Sequence, residues 1–178
     1  GKKEILNQLP NQNHEFLADS YPYTINPGGP NHEELVSLIG IYEYLMKLYK
    51  HHFDNDNLSI QEKIYELNKL IAKHEQEIAN PILDYISKRD DFKLIGKSKI
   101  NNKNRAPTIS FIVKNKSSKT VSDFLVKNKI ATRNDNFYAW RCLEALKINT
   151  DDGVIRISLT HYNTETEAQK LIKLLKQI

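Results

Sequence analysis

An arginine in the middle of an apolar run is the first place where this sequence invites chemistry. Gly153-Val154-Ile155-Arg156-Ile157-Ser158-Leu159 reads as a buried, β-rich strand. A guanidinium there is costly unless something anionic meets it. Two anions suit it. One is a substrate carboxylate, which matches the planar, bidentate fork of arginine; the other is a neighbouring Asp or Glu. His161 follows the same strand and can border a site or hold a structural hydrogen bond. Gly28 and Gly29 precede Asn31, which has the chemistry of a helix N-cap. Exposed amides, a positive dipole end and no Cβ make a phosphate seat there, although the same residues also read as a plain turn before a capped helix. Cys142 falls inside an expected helix over residues 137–146 and reads as a buried small hydrophobe. His32, His51, His52, His74 and His161 match no zinc spacing, and no metal is expected.

The elements that must position these groups follow from periodicity and punctuation. Residues 1–30 are rich in Asn, Pro and Gly. They predict a short helix or strand end over 1–9, then loop, with a short extended piece over 21–25. Asn31 opens a helix to about Phe53, and its stripe of Leu35, Leu38, Ile39, Tyr42, Leu45, Met46 and Tyr49 reads as core packing. After a turn at 54–57, Ser59-Ile60-Gln61-Glu62 is a capping box. It starts a second long helix to about Arg89, which Pro81 should kink or split. Strands are expected over 92–95, 108–113 and 130–133. A polar loop spans 99–105, and a helix begins at Ser117 or Ser118. Thr164-Glu165-Thr166-Glu167 is a further capping box, opening the last helix. Strands interleaved with helices make a small α+β domain, with a mainly antiparallel sheet, the economical arrangement.

Composition bounds the function. The 178 residues suffice for one domain or a large piece of one, with ordinary hydrophobic and charged content. No apolar run is long enough to span a membrane. The amino end has no apolar core of signal-peptide length, and the single cysteine suits a reducing cytoplasm. The chain lacks an initiator Met and reads as a piece of a longer or processed protein. The net charge of +4 is scattered among acids, so a nucleic-acid partner is not expected. If there were one, the basic loop at 97–105 would be its contact.

Three separated motifs carry a family resemblance. Arg156-Ile157-Ser158-Leu159-Thr160-His161-Tyr162-Asn163-Thr164-Glu165-Thr166-Glu167 resembles the closing segment of class V aminotransferase-like, pyridoxal-phosphate (PLP) dependent enzymes, and within them the cysteine desulfurase-like proteins. Arg105-Ala106-Pro107-Thr108-Ile109-Ser110-Phe111 is similar to the entry into that family's small domain. Pro27-Gly28-Gly29-Pro30-Asn31-His32-Glu33 is similar to a segment near the end of its large domain, with Gly29 in place of the usual Thr.

The resemblance implies the C-terminal part of a fold-type-I PLP enzyme. Residues 1–53 would be the end of the large PLP-binding domain and the inter-domain helix, and residues 54–178 the small domain. It implies that Arg156 grips the α-carboxylate of an amino-acid substrate. Residues 137–139 and 161–162, with Tyr138 and His161 among them, would form one wall of the pocket. Gly28, Gly29 and Asn31 would approach the cofactor phosphate of the neighbouring subunit in a homodimer. In the matching loop, Arg133-Asn134-Asp135-Asn136-Phe137-Tyr138-Ala139, desulfurases carry a cysteine where Tyr138 stands. A phenol cannot accept sulfur as a thiolate does. The implied reaction is therefore transferase or lyase chemistry at Cα, or desulfuration by another route. No lysine here lies in the family's cofactor-lysine motif, so this stretch alone is expected to be inactive. The readings from other classes are a non-catalytic basic binding module and a degenerate relative that only dimerises.

Overall fold

Capping decides where the helices begin. The computed structural model describes residues 2–17, 23–25, 28–101 and 105–178, and the chain divides into two units, Gly1–Asn57 and Leu58–Ile178. In the first, helix α1 spans Lys3–Leu6, and short 3-10 turns occupy Glu15–Leu17 and Tyr23–Ile25. The extended piece expected over 21–25 is thus a turn at 23–25, and its residues 21 and 22 lie outside the described residues. Helix α2 spans His32–His52, and the Asn31 side chain accepts the Glu34 backbone N–H at 3.0 Å. It ends where the Tyr49 ring stacks on Phe53 and the Tyr49 hydroxyl donates to the Asn55 carbonyl. The apolar stripe of α2 is core only towards its C-terminal end, where Tyr49 is buried and Leu45 and Met46 are half-buried. Leu35, Leu38, Ile39 and Tyr42 are between 44% and 56% exposed, because both hydrophobic clusters are built from residues after 77.

The second unit is a four-stranded antiparallel sheet with helices on it. Helix α3, Ile60–Ser87, opens on the Ser59–Glu62 capping box. Pro81 does not split it. Its missing N–H costs one ladder bond, but Ile78, Ala79, Ile82, Leu83 and Ile86 lie buried on both sides of it and hold the helix to the core. Strands β1 (Phe92–Ile95), β2 (Thr108–Val113), β3 (Arg133–Asp135) and β4 (Val154–Ser158) lie in the order β1-β2-β4-β3. Helix α4, Ser118–Lys127, is capped by Ser117. The short α5 is Trp140–Ala145, and α6, Glu165–Leu175, starts on the Thr164–Glu167 box.

Alternation fixes the two faces of the sheet. Ile109, Phe111, Ile155 and Ile157 join the main core with α3, α4 and α6. Val154, Arg156 and Ser158 belong to the other face, where Val154 packs with Leu143 and Ile148. Gly153 immediately precedes β4 at φ +69°, and a Cβ there would come within 2.2 Å of the Asp135 backbone. Only glycine lets the two strands approach so closely.

Two expected elements are displaced. The strand foreseen at 130–133 is β3, Arg133–Asp135, because Ile130 turns to pack on the core instead. The helix foreseen over 137–146 begins only at Trp140. Phe137 and Tyr138 have φ of +52° and +59°, held by the Asn136 side chain, which accepts the Tyr138 N–H at 3.0 Å. Cys142, expected to be buried, is exposed on α5.

Candidate functional site

Pairing brings together what the sequence keeps apart. In the β3–β4 register Arg133 lies opposite Arg156, and in the β2–β4 register Ser110 lies opposite Arg156. The Arg156 guanidinium carbon sits 3.9 Å from the centre of the Phe137 ring, and that of Arg133 sits 5.8 Å from the same ring. The left-handed turn at Phe137 and Tyr138 delivers the ring to them. Arg156 is half-buried and Arg133 exposed. Among the described residues neither is ion-paired to a carboxylate. The neighbouring-acid reading of Arg156 therefore finds no acid. Asp135, two residues along β3 from Arg133, takes the Asn136 backbone N–H at 2.6 Å. A cavity of about 190 Å³ opens here, lined by Ala131, Thr132, Arg133, Arg156 and Ser158. It is smaller than the ~300–1,000 Å³ of a complete ligand pocket. Chemically it is an anion-recognition corner, with two forked donors, hydroxyls and no negative charge in its lining.

The other expected site residues lie around or away from this corner. Tyr138, next to Phe137 in the chain, is fully exposed at the loop tip. His161 lies in the loop after β4, edge-on to Tyr162 at 5.3 Å. That loop is tied to α3, where His74 Nε2 donates to the Asn163 carbonyl at 2.8 Å. Glu75 on α3 is pushed above the usual carboxylate range by burial, which outweighs the opposing charges of His161 and His74. A second cavity, about 430 Å³, lies between this loop, Ile130 and α6, with Thr160, Tyr162 and Glu167 in its wall.

In the first unit, Gly28 and Gly29 stand in open space: a Cβ on either would meet nothing within 4 Å. Asn31 is committed to capping α2, whose first turn carries Glu33 and Glu34. The basic loop at 97–105 includes residues 102–104, outside the described residues; the Arg105 guanidinium donates to the carbonyls of Lys97 and Thr108.

Arg133 is the site residue that sequence reasoning misses. It sits in a short polar strand with no apolar run to betray it. Only the register shows that it faces the same way as Arg156.

The aminotransferase class-V family description matches residues 63–171. The aminotransferase-like protein FGM3 of Gibberella zeae is 31% identical over 109 residues, which are 61% of this chain and 27% of that protein. The chain thus spans about a quarter of that curated relative's length. The cysteine desulfurase CsdA of Escherichia coli superposes on 99% of this chain and 40% of its own, with a TM-score of 0.68 at 20% identity. The apo cysteine desulfurase of Thermococcus onnurineus NA1 covers 66% of this chain and 29% of its own, with a TM-score of 0.54 and 20% identity. The fold is that of fold-type-I PLP enzymes, and with the family description matching more than half its length, the chain belongs to the aminotransferase class-V family.

Proposed function

We propose that this chain is the C-terminal part of a PLP-dependent transferase or lyase that acts at Cα of an amino acid. Residues 54–178 would be its small domain, and residues 1–53 the end of its large domain with the inter-domain helix. The observation that carries the reading is Arg156. It is half-buried, unpaired with any described carboxylate, braced on the Phe137 ring at 3.9 Å and open to a cavity. A guanidinium held in this way is preorganised for an external carboxylate.

The residues present fit part of a PLP site. Gly28 and Gly29 leave the backbone before α2 unobstructed, so a phosphate can lie against amides at a positive helix end. Glu33 and Glu34 in the first turn weaken that field. When bound, PLP withdraws electrons from a bond at the substrate Cα. This chain's residues do the rest of the work assigned to them. Arg156 takes the α-carboxylate and fixes which Cα bond is presented. Phe137 holds the guanidinium in place, and Tyr138 and His161 would belong to the wall of the completed pocket. The lysine that anchors the cofactor would come from sequence outside these residues, so the 178 residues alone would not turn over. Tyr138 offers no sulfur acceptor, and Cys142 is exposed on α5 rather than in the loop, which favours transamination or lyase chemistry over desulfuration. The exposed apolar side of α2 supports assembly as a homodimer, and a cytoplasmic setting fits the lone thiol.

The test is the visible absorbance of the complete protein carrying this sequence, with PLP added. A band that borohydride fixes covalently is expected, as is a spectral response to amino acids. Arg156→Gln should keep the band but raise the amino-acid concentration needed by at least about tenfold. An unchanged amino-acid response in that variant would sink the assignment.

A further inference from the structure

The buried stripe of α3 breaks its own pattern. Leu67, Ile78, Ile82 and Ile86 are buried along one side of the helix. By helical spacing His74 and Glu75 fall on that same side, and both are half-buried. Polar groups there cost stability unless they are bonded. Glu75 stays ill-placed for a carboxylate, since burial raises it against the opposing charges of His161 and His74. Apolar side chains at both positions would pack without that cost. Packing therefore does not account for the pair, but what His74 reaches does. Its Nε2 donates to the carbonyl of Asn163, 89 residues further along the chain, at 2.8 Å. The turn at 160–163 holds its own shape. The Asn163 N–H donates to the Thr160 carbonyl at 3.0 Å, and the Asn163 side-chain oxygen accepts the Thr160 N–H at 2.9 Å. These bonds close the turn on itself without fixing its place, and the His74 bond ties it to α3. The turn supplies Thr160, Tyr162 and Asn163 to the wall of the cavity of about 430 Å³. That cavity shares Ala131 and Ser158 with the one that Arg156 borders. Displacing the turn thus reshapes the space beside the arginine.

We infer that His74 is a positioning residue for the substrate site: from α3 it holds the 160–163 turn, and with it His161 and Tyr162, where an amino acid bound at Arg156 needs them. His74 itself touches neither substrate nor cofactor in this role. The inference rests on the reading above that Arg156 meets a substrate carboxylate. It adds to that reading a residue that acts through the Asn163 carbonyl from outside the pocket.

Two variants separate positioning from packing. His74→Phe keeps a ring of similar size and loses the donor, whereas His74→Gln keeps a donor at nearly the same reach. In this chain, hydrogen exchange at the Thr160 and Asn163 amides should be at least about fivefold faster in His74→Phe and close to the parent's in His74→Gln. In the complete protein carrying this sequence, with PLP added, His74→Phe should keep the band that borohydride fixes. It should need at least about fivefold more amino acid for the spectral response, and His74→Gln should restore most of that loss. A lower melting temperature in His74→Phe with an unchanged amino-acid response would overturn the inference, because the bond would then only fasten the turn to α3. Equal losses in the two variants would overturn it as well. In both cases the role of Arg156 stands if Arg156→Gln weakens the response. If Arg156→Gln also leaves the response unchanged, or the parent protein gives no band, the reading of Arg156 falls and the role of His74 falls with it.

Discussion

Glu75 is a residue whose environment works against its charge. Its carboxyl is raised by burial, with His161 and His74 acting the other way. A carboxyl with a raised folded-state pKa holds its proton longer in the native state. The native state is therefore favoured most below the ordinary glutamate value of about 4.3, and that advantage fades as pH rises through the raised value. Glu75→Gln should then raise the melting temperature at pH 7 and leave it unchanged at pH 3.5. The gain should grow as pH rises through the raised value of Glu75. Equal gains at all pH values would mean that packing, not charge, is responsible. Gly153 makes a different claim on stability. At φ +69°, a Cβ would lie 2.2 Å from the Asp135 carbonyl carbon and 2.3 Å from its oxygen. Gly153→Ala therefore strains the backbone and pushes β3 away from β4 at once. The loss should exceed the ~1–2 kcal/mol that left-handed backbone alone costs an L-residue, and a urea midpoint would read it.

At the scale of elements, the two capping boxes show how much was legible and why. Ser59–Glu62 and Thr164–Glu167 are local four-residue patterns, so the helix starts could be read directly, and both boxes form with reciprocal bonds. The displaced elements fail for the opposite reason. Whether residues 137–139 are helical depends on the Asn136 side chain capturing the Tyr138 N–H, and whether Ile130 or Arg133 enters the strand depends on which side of the sheet needs an apolar residue. Arg156 was legible because an apolar run surrounds it. Arg133 was not, because cross-strand register is a non-local property. The last box also carries a prediction. Glu167 is held below the usual range chiefly by the Thr164 backbone N–H, then by Asn163 and the Thr164 hydroxyl. Its contribution is present above the ordinary glutamate value and is lost as pH falls through the lowered one. Thr164→Ala should cost about 1 kcal/mol at pH 7. Part of that difference should vanish in acid, where the Glu167 carboxylate no longer accepts from the Thr164 hydroxyl that the variant removes. Chemical denaturation at pH 7 and pH 3 would check both.

At the scale of the whole molecule, the two units differ in what can hold them together. Every member of both hydrophobic clusters lies in the second: the sheet's covered face with α3, α4 and α6, and the smaller group of Leu143, Ile148 and Val154 on the other. The first unit's long helix exposes Leu35, Val36, Leu38, Ile39 and Ile41 at more than half of their area, and a single amphipathic helix without a packing partner is marginal in water. A chain cut at the boundary between Asn57 and Leu58 should therefore divide unequally. Residues 58–178 should unfold cooperatively, with slow amide exchange in β2, β4 and α3. Residues 1–57 alone should show fraying helix and no cooperative transition. Calorimetry and hydrogen exchange on the two pieces would decide it. A cooperative transition in the short piece would mean that α2 finds its partner within its own unit or in a second copy of it. Loss of the transition in the long piece would mean that the core depends on contacts from the first unit.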